Sequence, residues 1–266
     1  MPIAPQHSYK PLSQAEFGPL AYDVFADVLA IRKELGRFFD EKHYKKALAM
    51  HRSDLLLEAP ILVSHGSFKK FYFLDVLVLC GGVFEFKAAE ALTARHKAQL
   101  LHYLMLAELW HGMLINVRPE KIQRDFANNQ LSHQDRQQFQ IVTNGLSQAT
   151  PGADDFVSLL TELLNDWGAC LDLGLYEEAI THFFGGEDKV VRPASVCYQN
   201  APLGQQNMRF VRENTAFKLT AFESPSSMQR FQSHIQRMVN HLDIESLIWA
   251  NLGRHRIEIQ TIAPQH

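Results

Sequence analysis

The sequence predicts an α/β protein in which one order of elements, α-β-β-β-α-β, occurs twice around mixed β-sheets. Stretches with helical spacing of apolar residues alternate along the chain with short runs rich in Val, Leu and Phe, which are typical of strands. A polar stretch containing Gly and Pro, residues 144–155, divides the chain into two halves. With 266 residues, 46% of them apolar and 21% charged, the chain is long enough to bury one large core or two smaller ones.

The first half begins with a helical pattern from Leu20 to His51 that we expect to break near Gly36, because glycine destabilises a helix interior. Three strands of an antiparallel meander follow, and Gly81-Gly82 predicts a tight hairpin between the last two. Residues 89–110 then return to helical spacing. The run at residues 112–117 is a buried strand that joins the sheet in parallel, because a helix leads to it. The meander strands are predicted at residues 55–63, 71–80 and 83–88.

The second half repeats this order, starting from a helical pattern over residues 156–184. A further helix is predicted over residues 226–242, between the third and fourth strands of this half. The strands are predicted at residues 195–199, 208–212, 216–222, 247–252 and 256–262.

The two halves also match in single residues. Gly36 and Tyr44 have the same spacing as Gly168 and Tyr176, and Asn116 corresponds to Asn251 when the halves are aligned. These matches predict a diverged internal duplication, with a first domain at residues 1–145 and a degenerate repeat at residues 155–266.

Composition limits the classes of function. The net charge of −3 divides into +2 for residues 1–150 (17 Lys+Arg, 15 Asp+Glu) and −5 for the remainder (9 and 14), so a polyanion would meet the first half. This bias is too small for a duplex binder that neutralises many phosphates.

No apolar run is long enough for a membrane span or a signal peptide, which favours a cytoplasmic location. The cysteines lack the spacing of a zinc or iron-sulfur site.

A D/E-x-K triplet occurs three times, so context has to separate the copies. Only Glu85-Phe86-Lys87 lies in an apolar strand-like run, where the two-residue period sends Glu85 and Lys87 to one face and Phe86 to the other. The alternative, non-catalytic interpretation is that Glu85 and Lys87 form an ion pair on a solvated strand. The other two triplets are Asp40-Glu41-Lys42 and Glu187-Asp188-Lys189.

Asp75 is a lone carboxylate with four apolar residues on each side, on the strand that the hairpin places beside Glu85. Burying it unpaired is expensive, so a cation is expected next to it. Two converging carboxylates suit Mg²⁺ or Mn²⁺, ions that also bind substrate phosphate. With Lys87 beside them to hold or deprotonate water, this set predicts phosphodiester hydrolysis.

These residues resemble the motifs of RecB-like members of the PD-(D/E)XK nuclease superfamily: Asp on one strand, E-x-K on the next and Q-x-x-x-Y, here Gln99 and Tyr103, on the following helix. The chain is most similar to the GxxExxY family of small bacterial proteins in that superfamily, from Gly36 to Asn116. Phe38 replaces the second glycine of the family motif. The matching positions are Gly36, Glu41, Tyr44, Asp75, Glu85, Lys87, Ala88, His96, Gln99, Tyr103, Leu104, Gly112, Leu114, Ile115 and Asn116.

The resemblance implies a metal bound by Asp75, Glu85 and the Phe86 carbonyl, with water positioned by Lys87. It also implies a further carboxylate from Glu41. Gln99 and Tyr103 would fix the substrate strand or the metal shell, whereas His96 and Asn116 are expected to be structural. Each role has a structural alternative. Glu41 would be a surface residue of a helix, Tyr103 a core aromatic residue, and Gln99 the partner of a helix-to-backbone hydrogen bond.

The second half lacks this chemistry: aligning Phe217 with Phe84 puts Lys218 at the Glu85 position and places Met208 near the Asp75 position. We therefore expect one active site, in a Mg²⁺-dependent nuclease that acts on DNA, favoured over RNA, as a monomer or weak homo-oligomer without a membrane partner. The alternatives are a nucleic-acid-binding protein that keeps the site as a relic, and a protein-interaction module that recruits its partner through the C-terminal half.

Overall fold

The computed structural model describes residues 2–199 and 201–265, and the chain forms two compact units, one ending at His133 and the other beginning at Gln134. Each unit has its own mixed β-sheet. No helix in the described ranges is long and apolar enough to cross a membrane.

The first unit orders its sheet as β1-β2-β3-β4-β5-β6, and only the β4–β5 pair is parallel. Helices α1 and α2 precede β2, and α3 connects β4 to β5, as expected for a parallel crossover. The helices are α1 (Gln14–Leu35), α2 (Glu41–His51) and α3 (Ala94–Ala107), and the short α4 (His133–Arg136) lies at the boundary between the two units. The strands are β1 (Ile3–Pro5), β2 (Leu55–His65), β3 (Phe68–Val78), β4 (Gly82–Lys87), β5 (His111–Asn116) and β6 (Gln123–Asn128).

Two local predictions for this unit need comment. The helical pattern breaks at Gly36 as expected, since this residue caps α1 with a positive φ of 76°. The prediction that Gly81-Gly82 forms the turn between β3 and β4 is wrong in detail. Leu79 and Cys80, not the glycines, adopt the left-handed φ values of 49° and 56°. Gly81 is required by close approach instead: a Cβ there would lie 2.1 Å from the Lys10 carbonyl oxygen.

The second unit orders its sheet as β7-β12-β11-β10-β9-β8, with α5 and α6 before β8 and α8 between the parallel strands β10 and β11. The predicted division of the chain within residues 145–155 is wrong, because β7 pairs in parallel with β12 and so belongs to this unit. The helices are α5 (Ala153–Trp167), α6 (Leu173–Phe183), α7 (Glu187–Val190) and α8 (Pro225–Val239). The strands are β7 (Gln140–Gly145), β8 (Val191–Tyr198), β9 (Ala201–Phe210), β10 (Thr215–Thr220), β11 (Ser246–Leu252) and β12 (Arg256–Ile262).

The strands β2 to β6 and β8 to β12 have the same order and the same directions: two antiparallel pairs, one parallel pair and one antiparallel pair. Two hydrogen-bonding arrangements recur as well. The Tyr44 hydroxyl donates to the Gly36 carbonyl, as the Tyr176 hydroxyl does to that of Gly168. The edge strands differ, since β1 is antiparallel to β2 whereas β7 is parallel to β12.

The apolar residues of the central strands pack on one face of the sheet, and the residues that point to the other face are available to form the site. In the first unit, Phe84 and Phe86 of β4 pack with apolar residues of α1 and α2 in one cluster. The two-residue period of the strand then turns Glu85 and Lys87 towards the opposite face. The sheet therefore presents the E-x-K pair on the face away from this cluster.

Candidate active site

Strands β3 and β4 separate at Asp75. Their antiparallel pairing runs from Val78–Gly82 to Val76–Phe84 and goes no further, although the next pair would be Asp75–Glu85. The Asp75 carboxylate takes the place of the missing ladder bond: its Oδ2 accepts a hydrogen bond from the Phe86 backbone N–H at 2.9 Å. Since the N–H and C=O of one residue point to the same edge of a strand, the Phe86 carbonyl also faces this gap.

Glu85 is almost completely buried, with 2% of its surface exposed. Its Oε1 accepts a hydrogen bond from the Lys87 ammonium at 2.7 Å, whereas its Oε2 has no partner among the described residues. Burial and the nearby Asp75 charge raise the pKa of Glu85 to about 7. Burial lowers the pKa of Lys87, but Glu85, Asp75 and Glu41 together outweigh this effect and raise it above its ordinary value.

The cation that the sequence required beside Asp75 is Lys45, which sequence reasoning missed. Its ammonium lies 2.6 Å from Asp75 Oδ1 and also bonds to Glu58. Glu58 is the residue of β2 that faces Asp75, between the registered pairs Leu57–Val76 and Ala59–Leu74, and it adopts a left-handed φ of 51°.

The sequence does contain a signal for Lys45. It lies four residues after Glu41 on α2, so the two side chains share one face of that helix. A face that brings Glu41 to the site must bring Lys45 as well. Glu58 had no comparable signal, because its position depends on the β2–β3 register.

Glu41 is half-buried at the start of α2. Burial and the charge of Asp75 raise its pKa, while Lys87, Lys45 and a hydrogen bond from the Ala88 backbone lower it less strongly. The predicted further carboxylate therefore does lie within the electrostatic range of the site, from the second helix of the unit. It also lines an open cleft together with Asp40, Lys42, Lys45, Ala88 and Arg118.

Gln99 and Tyr103 bond to each other on α3, with 2.9 Å between the Gln99 amide and the Tyr103 hydroxyl. Burial raises the pKa of Tyr103, and the Glu85 and Asp75 carboxylates contribute in the same direction. The Tyr103 hydroxyl therefore lies within the electrostatic range of the two carboxylates. Tyr103 also has an edge contact with Tyr72, so it serves as a packing residue too.

Asn116 holds the chain segment that leaves β4. Its side chain is fully buried, accepts a hydrogen bond from the Ala89 N–H at 3.1 Å and donates one to the Ala89 carbonyl at 2.8 Å. His96 belongs to the capping box at the start of α3. Both residues have the structural contacts expected of them.

The site contains two ammonium groups, those of Lys45 and Lys87, and four carboxylates, those of Glu41, Glu58, Asp75 and Glu85. When all six groups are ionised, the site has a net charge of −2. In the part of the chain that the structure describes, no three His, Cys, Asp or Glu side chains are arranged to hold a metal ion. The donor set that the sequence predicted, two carboxylates and the Phe86 carbonyl, is smaller than such a group and stays a prediction.

Comparison with known families bears on this first unit. Residues 19–128 match the family model of the PD-(D/E)XK nuclease superfamily. The matched segment begins within α1 and ends with β6, so it contains Asp75, Glu85 and Lys87 together with the strands that carry them. A nuclease-like function and a nuclease-like mixed α/β fold are supported on this ground. Neither curated proteins nor solved structures give a significant match to the chain.

Proposed function

We propose that this chain is a metal-dependent nuclease that hydrolyses phosphodiester bonds at one site, formed by Asp75, Glu85 and Lys87. The observation that carries the proposal is their convergence where β3 and β4 separate, within the segment that matches the nuclease superfamily. The similarity to the GxxExxY family gives the same residues. DNA, favoured over RNA, is the proposed substrate.

A Mg²⁺ or Mn²⁺ ion would be held by Asp75, Glu85 and the Phe86 carbonyl. The donor set fits such an ion, because the Glu85 Oε2 is buried without a partner among the described residues and the cluster has excess negative charge. A bound ion of this kind supplies Lewis-acid activation of the phosphate and lowers the pKa of water. Lys45 has to release Asp75 Oδ1 before that oxygen becomes a ligand.

The remaining side chains act on substrate and water. Lys87 is fixed by its 2.7 Å bond to Glu85, so its ammonium can hold the attacking water and offset charge on the phosphorane. Gln99 and Tyr103 orient the substrate strand from α3, and Glu41 contributes a carboxylate from α2. Arg118, which lines the cleft beside Glu41, provides a cation for a neighbouring phosphate, a role that the sequence had not suggested.

The second unit is proposed to be a degenerate copy of the first. Its support is the shared strand order and the equivalence of Asn116 and Asn251. The Asn251 side chain accepts a hydrogen bond from the Phe222 N–H at 2.7 Å and donates one to the Phe222 carbonyl at 2.9 Å, as Asn116 does with Ala89. Because Thr220 pairs with Asn251 as Lys87 pairs with Asn116, Thr220 occupies the Lys87 position and the unit lacks the proposed catalytic lysine.

The test is cleavage of single-stranded DNA, duplex DNA and RNA with Mg²⁺ or Mn²⁺, comparing the wild type with Lys87→Ala. Metal-dependent cleavage that Lys87→Ala abolishes supports the proposal. Lys46→Ala is the matched control, because Lys46 is an exposed lysine on α2, and it should cleave like the wild type. With one site, nicks should precede any double-strand break, so concerted blunt cutting by a monomer would contradict the one-site mechanism.

The alternative function is nucleic-acid binding without hydrolysis, and the Lys45–Asp75 ion pair favours it, since an ammonium there neutralises Asp75 without a metal. Binding of DNA without cleavage under any of these metal conditions would select this alternative. A protein-interaction role for the C-terminal half receives less support. Most of the large apolar side chains that the described ranges expose, among them Tyr22, Phe38 and Met50, lie in the first unit.

A further inference from the structure

The second unit contains a pocket of about 250 Å³, formed by β9, β10 and α8 with α6 at its side. Its volume lies just below the usual range of roughly 300–1,000 Å³ for small-ligand sites. The residues that matter for its chemistry are Glu177, Met208, Arg209, Lys218, Phe231 and His234.

This pocket lies at the position in the second unit that the carboxylates occupy in the first. The registered pairing of β9 with β10 stops at Arg209–Phe217, as that of β3 with β4 stops at Val76–Phe84. The next pair of residues after this point is Met208 and Lys218 in the second unit, which corresponds to Asp75 and Glu85 in the first. The two units therefore open their sheets at equivalent points.

The charges at these equivalent positions are exchanged. Lys218 replaces the Glu85 carboxylate, and Glu177, one residue after Tyr176, replaces Lys45, one residue after Tyr44. Arg209 lies 3.4 Å from Glu177 through one terminal nitrogen, while its Nε is buried without a hydrogen-bond partner among the described residues. The opening that carries two carboxylates in the first unit carries Lys218 and Arg209 in the second, and these two cations favour an anion.

The residues that line the pocket restrict the chemical class of the anion further. Phe231, Met238 and Met208 provide apolar surface, and Gln206 and Asn207 add amide groups that can pair with the edge of a heterocycle. A bare inorganic anion would leave the apolar wall uncovered, and a neutral apolar ligand would leave the Arg209 Nε without an acceptor. A flat heterocycle that carries a phosphate satisfies both.

We propose that this pocket binds a nucleoside monophosphate unit, either as a free nucleotide or as the terminal nucleotide of a strand, with its phosphate on Arg209 and Lys218 and its base against Phe231. The proposal does not depend on the nuclease activity, because none of these residues belongs to the Asp75–Glu85–Lys87 site.

Calorimetric titration of the full chain in EDTA, where metal-dependent cleavage is suppressed, tests this proposal. The probes are AMP, CMP, a short 5′-phosphorylated single-stranded DNA, adenosine and inorganic phosphate. AMP or CMP should bind with a Kd below about 1 mM, whereas adenosine and phosphate should bind at least about tenfold more weakly. Binding of the phosphorylated strand but not of the mononucleotides would assign the pocket to strand ends.

Variants identify the site. Lys218→Ala should weaken binding by about tenfold or more, because it removes a charge-assisted hydrogen bond, and Glu177→Gln should tighten it by removing a competing carboxylate. Lys218 is exposed, so its substitution should not disturb folding, and Lys189→Ala is the matched control at another exposed lysine of the unit. Absence of binding by every nucleotide probe, equal binding of inorganic phosphate, or binding unchanged in Lys218→Ala would overturn the proposal.

Discussion

Replacing Lys45 by Met should have opposite effects on the metal-free and metal-bound protein. The Lys45 ammonium lies 2.6 Å from Asp75 Oδ1, and both side chains are nearly buried, with 8% and 12% exposed. Removing one partner of such a pair leaves an uncompensated charge, which costs about 3 to 5 kcal/mol of stability. In EDTA, Lys45→Met should therefore unfold at a markedly lower denaturant concentration than the wild type.

Metal binding should become tighter in the same variant. A metal that uses Asp75 has to displace a charge-assisted hydrogen bond worth about 1.5 to 3 kcal/mol, so its removal should lower the Kd for Mn²⁺ by about tenfold to a hundredfold. Titration calorimetry and denaturant unfolding with and without Mn²⁺ measure both effects. Lys46→Met, at the neighbouring exposed position on α2, is the control and should change neither. Weaker Mn²⁺ binding by Lys45→Met would refute the reasoning, because Lys45 would then support the metal site instead of competing with it.

Two further predictions concern stability. In EDTA, burial and the Asp75 charge keep the pKa of Glu85 near 7, above its ordinary 4.5, so the folded protein binds this proton more tightly than the unfolded chain. The free energy of unfolding should therefore fall by up to about 3 kcal/mol relative to Glu85→Gln as pH rises through this interval, and equal pH slopes would contradict it. Asn116→Ala and Asn251→Ala should each cost about 2 kcal/mol in urea unfolding, since each loses at least two hydrogen bonds to backbone. A change below about 0.5 kcal/mol in either would contradict the shared anchoring role.

The elements that bury apolar faces were predictable from the sequence. Strand β5 was expected at residues 112–117 and lies at His111–Asn116, parallel to β4, because its apolar run follows a helix. The edge strands β1, β6 and β7 were missed. Strand β1 has only three residues, and β6 and β7 are largely polar, so none of them shows an apolar pattern, and their pairing depends on long-range partners.

At the site, the sequence identified side chains but not their ion pairs. Asp75 and Glu85 could be recognised because carboxylates are unusual within apolar strands. Lys45 reaches Asp75 only through the packing of α2 against the sheet, and Glu58 does so only through the β2–β3 register. A strand period specifies which face a residue occupies, not which residue of another element faces it.

The central claim is that Asp75, Glu85 and Lys87 form one metal-dependent hydrolytic site. The most direct measurement is the rate of cleavage of a labelled single-stranded DNA at saturating Mn²⁺ by the wild type, Lys87→Ala and Lys46→Ala, with Mn²⁺ binding measured on the same samples. We expect Lys87→Ala to lose cleavage by about a hundredfold or more while it still binds Mn²⁺ and remains folded, and Lys46→Ala to match the wild type. Cleavage by Lys87→Ala at the wild-type rate, or Mn²⁺-saturated wild-type protein that cuts neither DNA nor RNA, would contradict the claim.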